Sequence, residues 1–279
     1  MTSAVDPPIE VAELLVRDAE LLVVDTGWEI PGGWLAVTDG RVTGVGSAGS
    51  EPEARTTVRA SGRLVTPGLI NTHHHIYQNL TRSYAPAVNG SLFDWLTTLY
   101  PIWARLDEEG AYVSAYVGMA ELLMGGGTAR VSEMRELGLP VGIGCDGSAS
   151  TDHASLWMET RAALLLGRYR GGPGAMTARD ALDIATRGSA RCLGREDELG
   201  HLRPGACADL VVWDLHEVAL AGALSDPVEA WLRCGPARAW TTVVGGRVLV
   251  DRGEPRLRGL VEALRAHGAV ARAMQGRST

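Results

Sequence analysis

The chain has 279 residues, 46% of them hydrophobic, and 26 basic against 33 acidic side chains give a net charge of −7. That length serves one large domain or two ordinary ones with a buried core. Every cation is an arginine, so no basic patch of the kind that tracks phosphates is expected.

Nucleic acid and membranes are therefore not expected partners. No apolar stretch approaches the ~20 residues of a membrane span, and "MTSAVDPPIEVAELL" is acidic where a signal peptide is basic. A cytoplasmic protein is expected. Cys145, Cys192, Cys207 and Cys234 form no C-x-x-C pair and read as buried small hydrophobes, not as a disulfide framework or zinc knuckle.

In chain order, "AELLVVDTGWEIPGGWLAVTDGRVTGVGS" has short β-branched runs, with Asp39-Gly40 at a two-residue hairpin turn. The pattern returns near the other end in "ADLVVWDL" and "WTTVVGGRVLVDRG", with Gly245-Gly246 at the turn. Sheets of exposed hairpins must cover one another's apolar faces, so one β-sandwich built from both ends is expected.

Between these, "GRLVTPGLINTHHH" reads as a buried parallel strand ending in polar residues. Ser91-x-x-Asp94 is a capping box for "LFDWLTTLYPIWARL", which Pro101 should break or kink. Asp107 caps the next helix, where Val113, Val117, Ala120 and Leu123 or Met124 share a face and Gly125-Gly126-Gly127 makes the end. A helix from Val131 to Leu137 leads into the strand "PVGIGCDG". Asp152 can cap "HASLWMETRAALLLGRYR", and Thr177-x-x-Asp180 can cap "ALDIATRGSARCLG". Strands alternating with helices imply βα units and a parallel sheet.

Chemistry concentrates in two places. In an H-x-H pair on a strand, His73 and His75 share a face and can meet one metal ion, while His74 points the other way. By themselves these residues fit a solvated loop cluster or a tag-like run better than a metal site. Asp146, in "VGIGCDGSAS", also ends an apolar strand; alone, Asp-Gly is commonly a turn. Together they suggest a metal site, since a carboxylate beside a metal ion can both ligate it and accept a proton from attacking water.

"LVTPGLINTHHHIYQ", "GIGCDGSASTDHASL" and "ATRGSARCLGREDELGHLRPGACADLVVWD" together resemble the amidohydrolase superfamily, the metal-dependent aminohydrolases. "NTHHHIYQNLTRSYAPAVNGSLFDWLTTLYPIW" is similar to the branch of 8-oxoguanine deaminases and hydroxydechloroatrazine ethylaminohydrolases. The resemblance implies an α/β fold, a (β/α)8 barrel beside the composite sandwich. It implies one zinc or iron, held by the H-x-H pair, two histidines on later strands and the aspartate of the eighth strand. His73 and His75 would be ligands, and Asp146 both ligand and proton acceptor. Gln78 would contact the edge of a purine-like ring; its plain alternative is a loop residue. The expected activity is hydrolytic deamination of an amino-substituted purine-like ring, a small heterocyclic substrate, and association into homo-oligomers is allowed for.

The chain departs from that pattern in its middle. Seven βα units at about 30 residues each should separate the first and eighth strands, yet His75 and Asp146 lie 146 − 75 = 71 residues apart. No histidine occurs between His75 and His153, so the two middle ligands and a neighbouring acidic glutamate are missing. The seam falls in "ELLMGGGTARVSEMRELGLPVG": up to Gly127 or Thr128 the chain resembles the end of the second helix, and from Arg130 the last helix before the eighth strand. Recombination between Gly-rich stretches, or an error in assembling the gene, would leave such a seam. The expected architecture is an incomplete barrel at 67–202, with first and last units present, a composite sandwich from 1–66 and 203–258, and a C-terminal helix at 259–279. The alternative to an enzyme is a catalytically inactive, internally deleted remnant with at most an association role. His153 is expected to be solvated, and His201, His216 and His267 have no metal spacing.

Overall fold

In this computed structural model, residues 11–122, 140–149 and 153–276 are described. The turn at Asp39-Gly40, with φ of 49° and 69°, joins β4 (Trp34–Thr38) to β5 (Arg41–Gly46). Together with β1 (Ala12–Arg17) and β6 (Ala54–Arg59) they form a four-stranded sheet in the order β5-β4-β1-β6. Gly245-Gly246, at φ of 53° and 75°, likewise turns β9 (Ala239–Val244) into β10 (Arg247–Asp251). Both hairpin turns expected from the sequence are present.

The second sheet mixes the two halves of the chain. Its order is β11-β10-β9-β8-β7-β2-β3, where β2 is Leu21–Asp25, β3 Trp28–Pro31, β7 Arg63–Pro67, β8 Leu210–Asp214 and β11 Glu254–Pro255. Antiparallel pairing of Leu64 with Trp213 and Val65 with Val212 is the junction. Its central strands are apolar at nearly every position because both faces are covered. Leu22, Val24, Val65, Leu210 and Val212 pack toward the smaller sheet with Leu14, Val16, Leu35 and Val37. Alternate residues Leu21, Val23, Leu64, Val211 and Trp213 face helices on the other side.

Those helices are α3 (Leu156–Gly171), α4 (Ala178–Asp183) and α6 (Pro227–Cys234). From α4 the chain continues through a π turn at Ile184–Gly188 into α5 (Ser189–Cys192). A separate core joins α1 (Leu92–Trp103) and the C-terminal α7 (Leu260–Met274) through Leu80, Leu99, Ile102, Trp103 and Met274, and α2 (Glu108–Leu122) packs against α7 and the turn Ile76–Thr81.

Local signals held where side chains could act on the nearest turn. Both capping boxes form, Ser91 with Asp94 and Thr177 with Asp180, and Asp107 accepts from Gly110 N at 2.8 Å. Pro101 does not break α1, because it falls in the last turn and the helix ends two residues on. The run "GRLVTPGLINTHHH" is not one strand: β7 stops at Pro67, inside the sandwich, and the histidines follow on a separate extended segment. Nor is "PVGIGCDG" a full strand; it holds isolated parallel bridges, Ile143 to Asn71 and Asp146 to His74. Helix α3 starts after Ser155, whose side chain makes no capping bond, while Asp152 lies outside the described residues. So do the helix expected at Val131–Leu137, the Gly125–Gly127 end and the seam. Of the cysteines only Cys145 is buried; Cys192 is exposed and Cys207 and Cys234 are half-buried, all as free thiols.

The architecture is α/β, with no closed barrel among the described residues. No helix there is long and apolar enough to cross a membrane.

Leu64, fully buried at the junction of the two halves, should cost about 2–5 kcal/mol on replacement by Ala in urea unfolding, whereas Ala at Leu92, 75% exposed, should shift stability by under about 0.5 kcal/mol.

Candidate metal centre

After Pro67 the chain runs beside residues 143–146. Thr72 N donates to the Ile143 carbonyl at 2.9 Å, Asp146 N to the His73 carbonyl at 3.1 Å, and His75 N to the Asp146 carbonyl at 2.8 Å. Asn71 joins the same two segments, its Oδ1 accepting from His73 N and Cys145 N at 3.3 and 3.1 Å. Gly144 permits the approach, since a Cβ there would lie 2.7 Å from His73 main-chain atoms.

This pairing brings together the three residues the sequence singled out. His73 Nε2 and His75 Nε2 lie 3.2 and 3.3 Å from Asp146 Oδ1. The imidazoles meet edge to face, 4.9 Å between centroids. One ligand atom from each residue falls within 4.8 Å of the other two, and no further His, Cys, Asp or Glu joins them among the described residues. The side chains are 43–63% exposed, so the donors are open to solvent.

The donor chemistry fits a divalent ion. Imidazole nitrogen with carboxylate oxygen is a set that zinc accepts, and three protein ligands with an open position is the pattern of catalytic zinc. Asp146 is held at φ +52°, a left-handed conformation that costs a non-glycine residue about 1–2 kcal/mol, as strained residues at functional sites often are.

Gln78 follows in the 3-10 turn Ile76–Thr81. It is buried, and its Oε1 has no hydrogen-bond partner among the described residues. The residue lines a recess of about 460 Å³ together with His75 and Asp146. Tyr77, Trp95, Tyr100 and Trp103 form an aromatic wall there, the first three rings edge-on to Trp103 at 5.3–5.8 Å. Sequence reasoning missed this wall, although "DWLTTLYPIW" places Trp95, Leu99 and Trp103 at helical spacing.

The other histidines lie elsewhere. His153 is not solvated as expected: its Nε2 is 3.4 Å from Oε1 of the buried Glu159, reached because α3 begins later than the sequence suggested. Burial pushes the Glu159 carboxyl up to about 7. His267, on α7, meets Asn79 Oδ1 at 3.0 Å, and burial lowers its pKa. His216 pairs with Asp214, and His201 stands in a loop.

The Amidohydrolase family profile matches residues 64–131 and 127–249, two pieces that meet at the seam. The 8-oxoguanine deaminase of Pseudomonas aeruginosa is 26% identical over 444 residues, covering 93% of this chain and 98% of that protein. A 279-residue chain leaves at least 444 − 279 = 165 of those positions without a counterpart. The hydroxydechloroatrazine ethylaminohydrolase of Pseudomonas sp. (strain ADP) is 35% identical over 118 residues, 42% of this chain and 22% of that protein. Among solved structures, an adenosine deaminase from Xanthomonas campestris with bound zinc superposes with a TM-score of 0.82 at 15% identity, over 96% of this chain and 100% of that one.

Glu159 sets a pH dependence of stability. Its carboxyl titrates at an ordinary 4.5 when unfolded and at about 7 when folded, so the folded state binds the extra proton between those values and stability falls as pH rises through that window. Urea unfolding at the two ends of the window should show this fall, and Glu159→Gln should remove it.

Proposed function

This chain belongs to the amidohydrolase family, and on that premise we propose that it is a metal-dependent hydrolytic deaminase of an amino-substituted, purine-like ring, of the 8-oxoguanine deaminase type. The observation that carries the reading is the convergence of His73, His75 and Asp146 from segments 71 residues apart in sequence, at the edge of an aromatic-walled recess.

His73, His75 and Asp146 would hold one divalent ion, zinc or iron. When bound, that ion supplies Lewis acidity, which brings the pKa of an attacking water toward neutrality. Asp146 accepts the proton lost as water attacks the amino-bearing ring carbon, then returns it to the departing amine. Ammonia leaves and the ring keeps a carbonyl, so atoms balance without any redox partner. Gln78 lines the recess, its amide oxygen has no hydrogen-bond partner among the described residues, and its amide pairs with an N–H at the edge of the ring, with Trp95 and Trp103 beside the ring.

The wider architecture is read in the same way: the pairing of 71–75 with 143–146 represents the first and last units of a barrel whose middle units this chain lacks. The competing reading, an inactive remnant, draws on those missing ligands, but the named relatives are deaminases and hydrolases and give it no support.

The test is ammonia release from 8-oxoguanine and guanine by the zinc-loaded chain. Activity should fall about 10²–10⁴-fold on Asp146→Asn, while Gln78→Ala should act mainly on KM. Folded, zinc-loaded protein that releases no ammonia from either base would overturn the proposal in favour of the remnant.

A further inference from the structure

We propose that His74, the middle residue of the histidine run, is a positioning residue: its ring holds the Asp146 main chain in the turn that aims the carboxylate at His73 and His75. The inference rests on the metal reading above, but it stands on a separate set of contacts.

Strand alternation sends the His74 ring away from the other two imidazoles, which in sequence makes it a bystander. In the structure the ring turns onto the neighbouring segment, with Nδ1 2.5 Å from the Asp146 carbonyl oxygen. A carbonyl can only accept, so Nδ1 carries a proton and is the donor in this contact. Nε2 is buried and has no hydrogen-bond partner among the described residues. The ring is therefore placed for the bond that Nδ1 makes.

That bond acts on a strained residue. Asp146 sits at φ +52°, and its carbonyl takes a second donor, His75 N, at 2.8 Å. Its own N–H donates to the His73 carbonyl at 3.1 Å. All three consecutive histidines thus grip one aspartate, two through main chain and ring nitrogen and His74 through its ring alone. Removing the ring bond frees the Asp146–Gly147 peptide to relax toward a right-handed conformation, which rotates the carboxylate off the two imidazoles. The same rotation disturbs Gln78, since even a Cβ on Gly147 would lie 1.7 Å from Gln78 Oε1.

The experiment pairs two variants with a measurement on the unaltered chain. His74→Leu removes the donor, and His74→Asn restores an N–H close to the position of Nδ1. Isothermal titration with Zn²⁺ should show His74→Leu weakened about 10–100-fold with Tm unchanged, and His74→Asn recovering most of that loss, as outer-shell partners of ligands behave. Equal affinity in the unaltered chain and His74→Leu would overturn the proposal, as would His74→Asn behaving like His74→Leu. Ring ¹⁵N shifts of the metal-free, unaltered chain supply the independent arm: the Nδ1–H tautomer is expected for His74, and the Nε2–H tautomer would overturn the assignment. A chain that binds no Zn²⁺ but shows the Nδ1–H tautomer defeats the metal reading and leaves the His74 contact standing.

Discussion

The candidate site depends on one contact, the parallel run of Asn71–His75 against Ile143–Asp146. Among the described residues three main-chain hydrogen bonds span it, each worth a net of about 0.5–1.5 kcal/mol, and side chains add to them. Asn71 and Thr72 side chains add bonds to Cys145 N and the Ile143 carbonyl, and Gly144 removes the side chain that would hold the segments apart. The three donors follow from this register, because a shift by one residue would replace His73 and His75 by His74 on the face that meets Asp146.

The contact is braced from both ends. On one side, Ile70 N donates to Ala185 and Ile143 N bonds Ser189 Oγ, tying both segments to the π turn and the helix after it. That layer rests on the seven-stranded sheet through the buried Trp213 and Trp231, 5.2 Å apart. On the other side, the C-terminal helix holds the turn that carries Gln78: His267 meets Asn79, and Gln275 donates to the Leu80 carbonyl at 2.9 Å. Residues nearly 200 positions from the histidines thus brace the turn that lies beside their recess.

What was legible in sequence was what short-range chemistry decides. Asp39-Gly40 and Gly245-Gly246 mark turns because both central residues need positive φ, and Ser91 and Thr177 mark helix starts because their caps act within one turn. That His73, His75 and Asp146 would come together was legible through spacing and the family resemblance. The division of "GRLVTPGLINTHHH" at Pro67 was not, since a strand apolar on both faces looks alike whether helices or a second sheet cover it. Pro101 misled because its cost depends on how much helix follows it. Two features could not be read from one residue at a time: the contact of the His74 ring with the Asp146 carbonyl appears only once Asp146 adopts positive φ, and His153 meets Glu159 only because α3 starts late.

The most direct test of the central claim, that His73, His75 and Asp146 together hold one divalent ion, is zinc K-edge X-ray absorption on the zinc-loaded chain. Zinc held by these three residues gives a first shell of nitrogen and oxygen with the outer-shell scattering of two imidazoles and no sulfur. A sulfur shell, or a shell of oxygen alone without imidazole scattering, would contradict it.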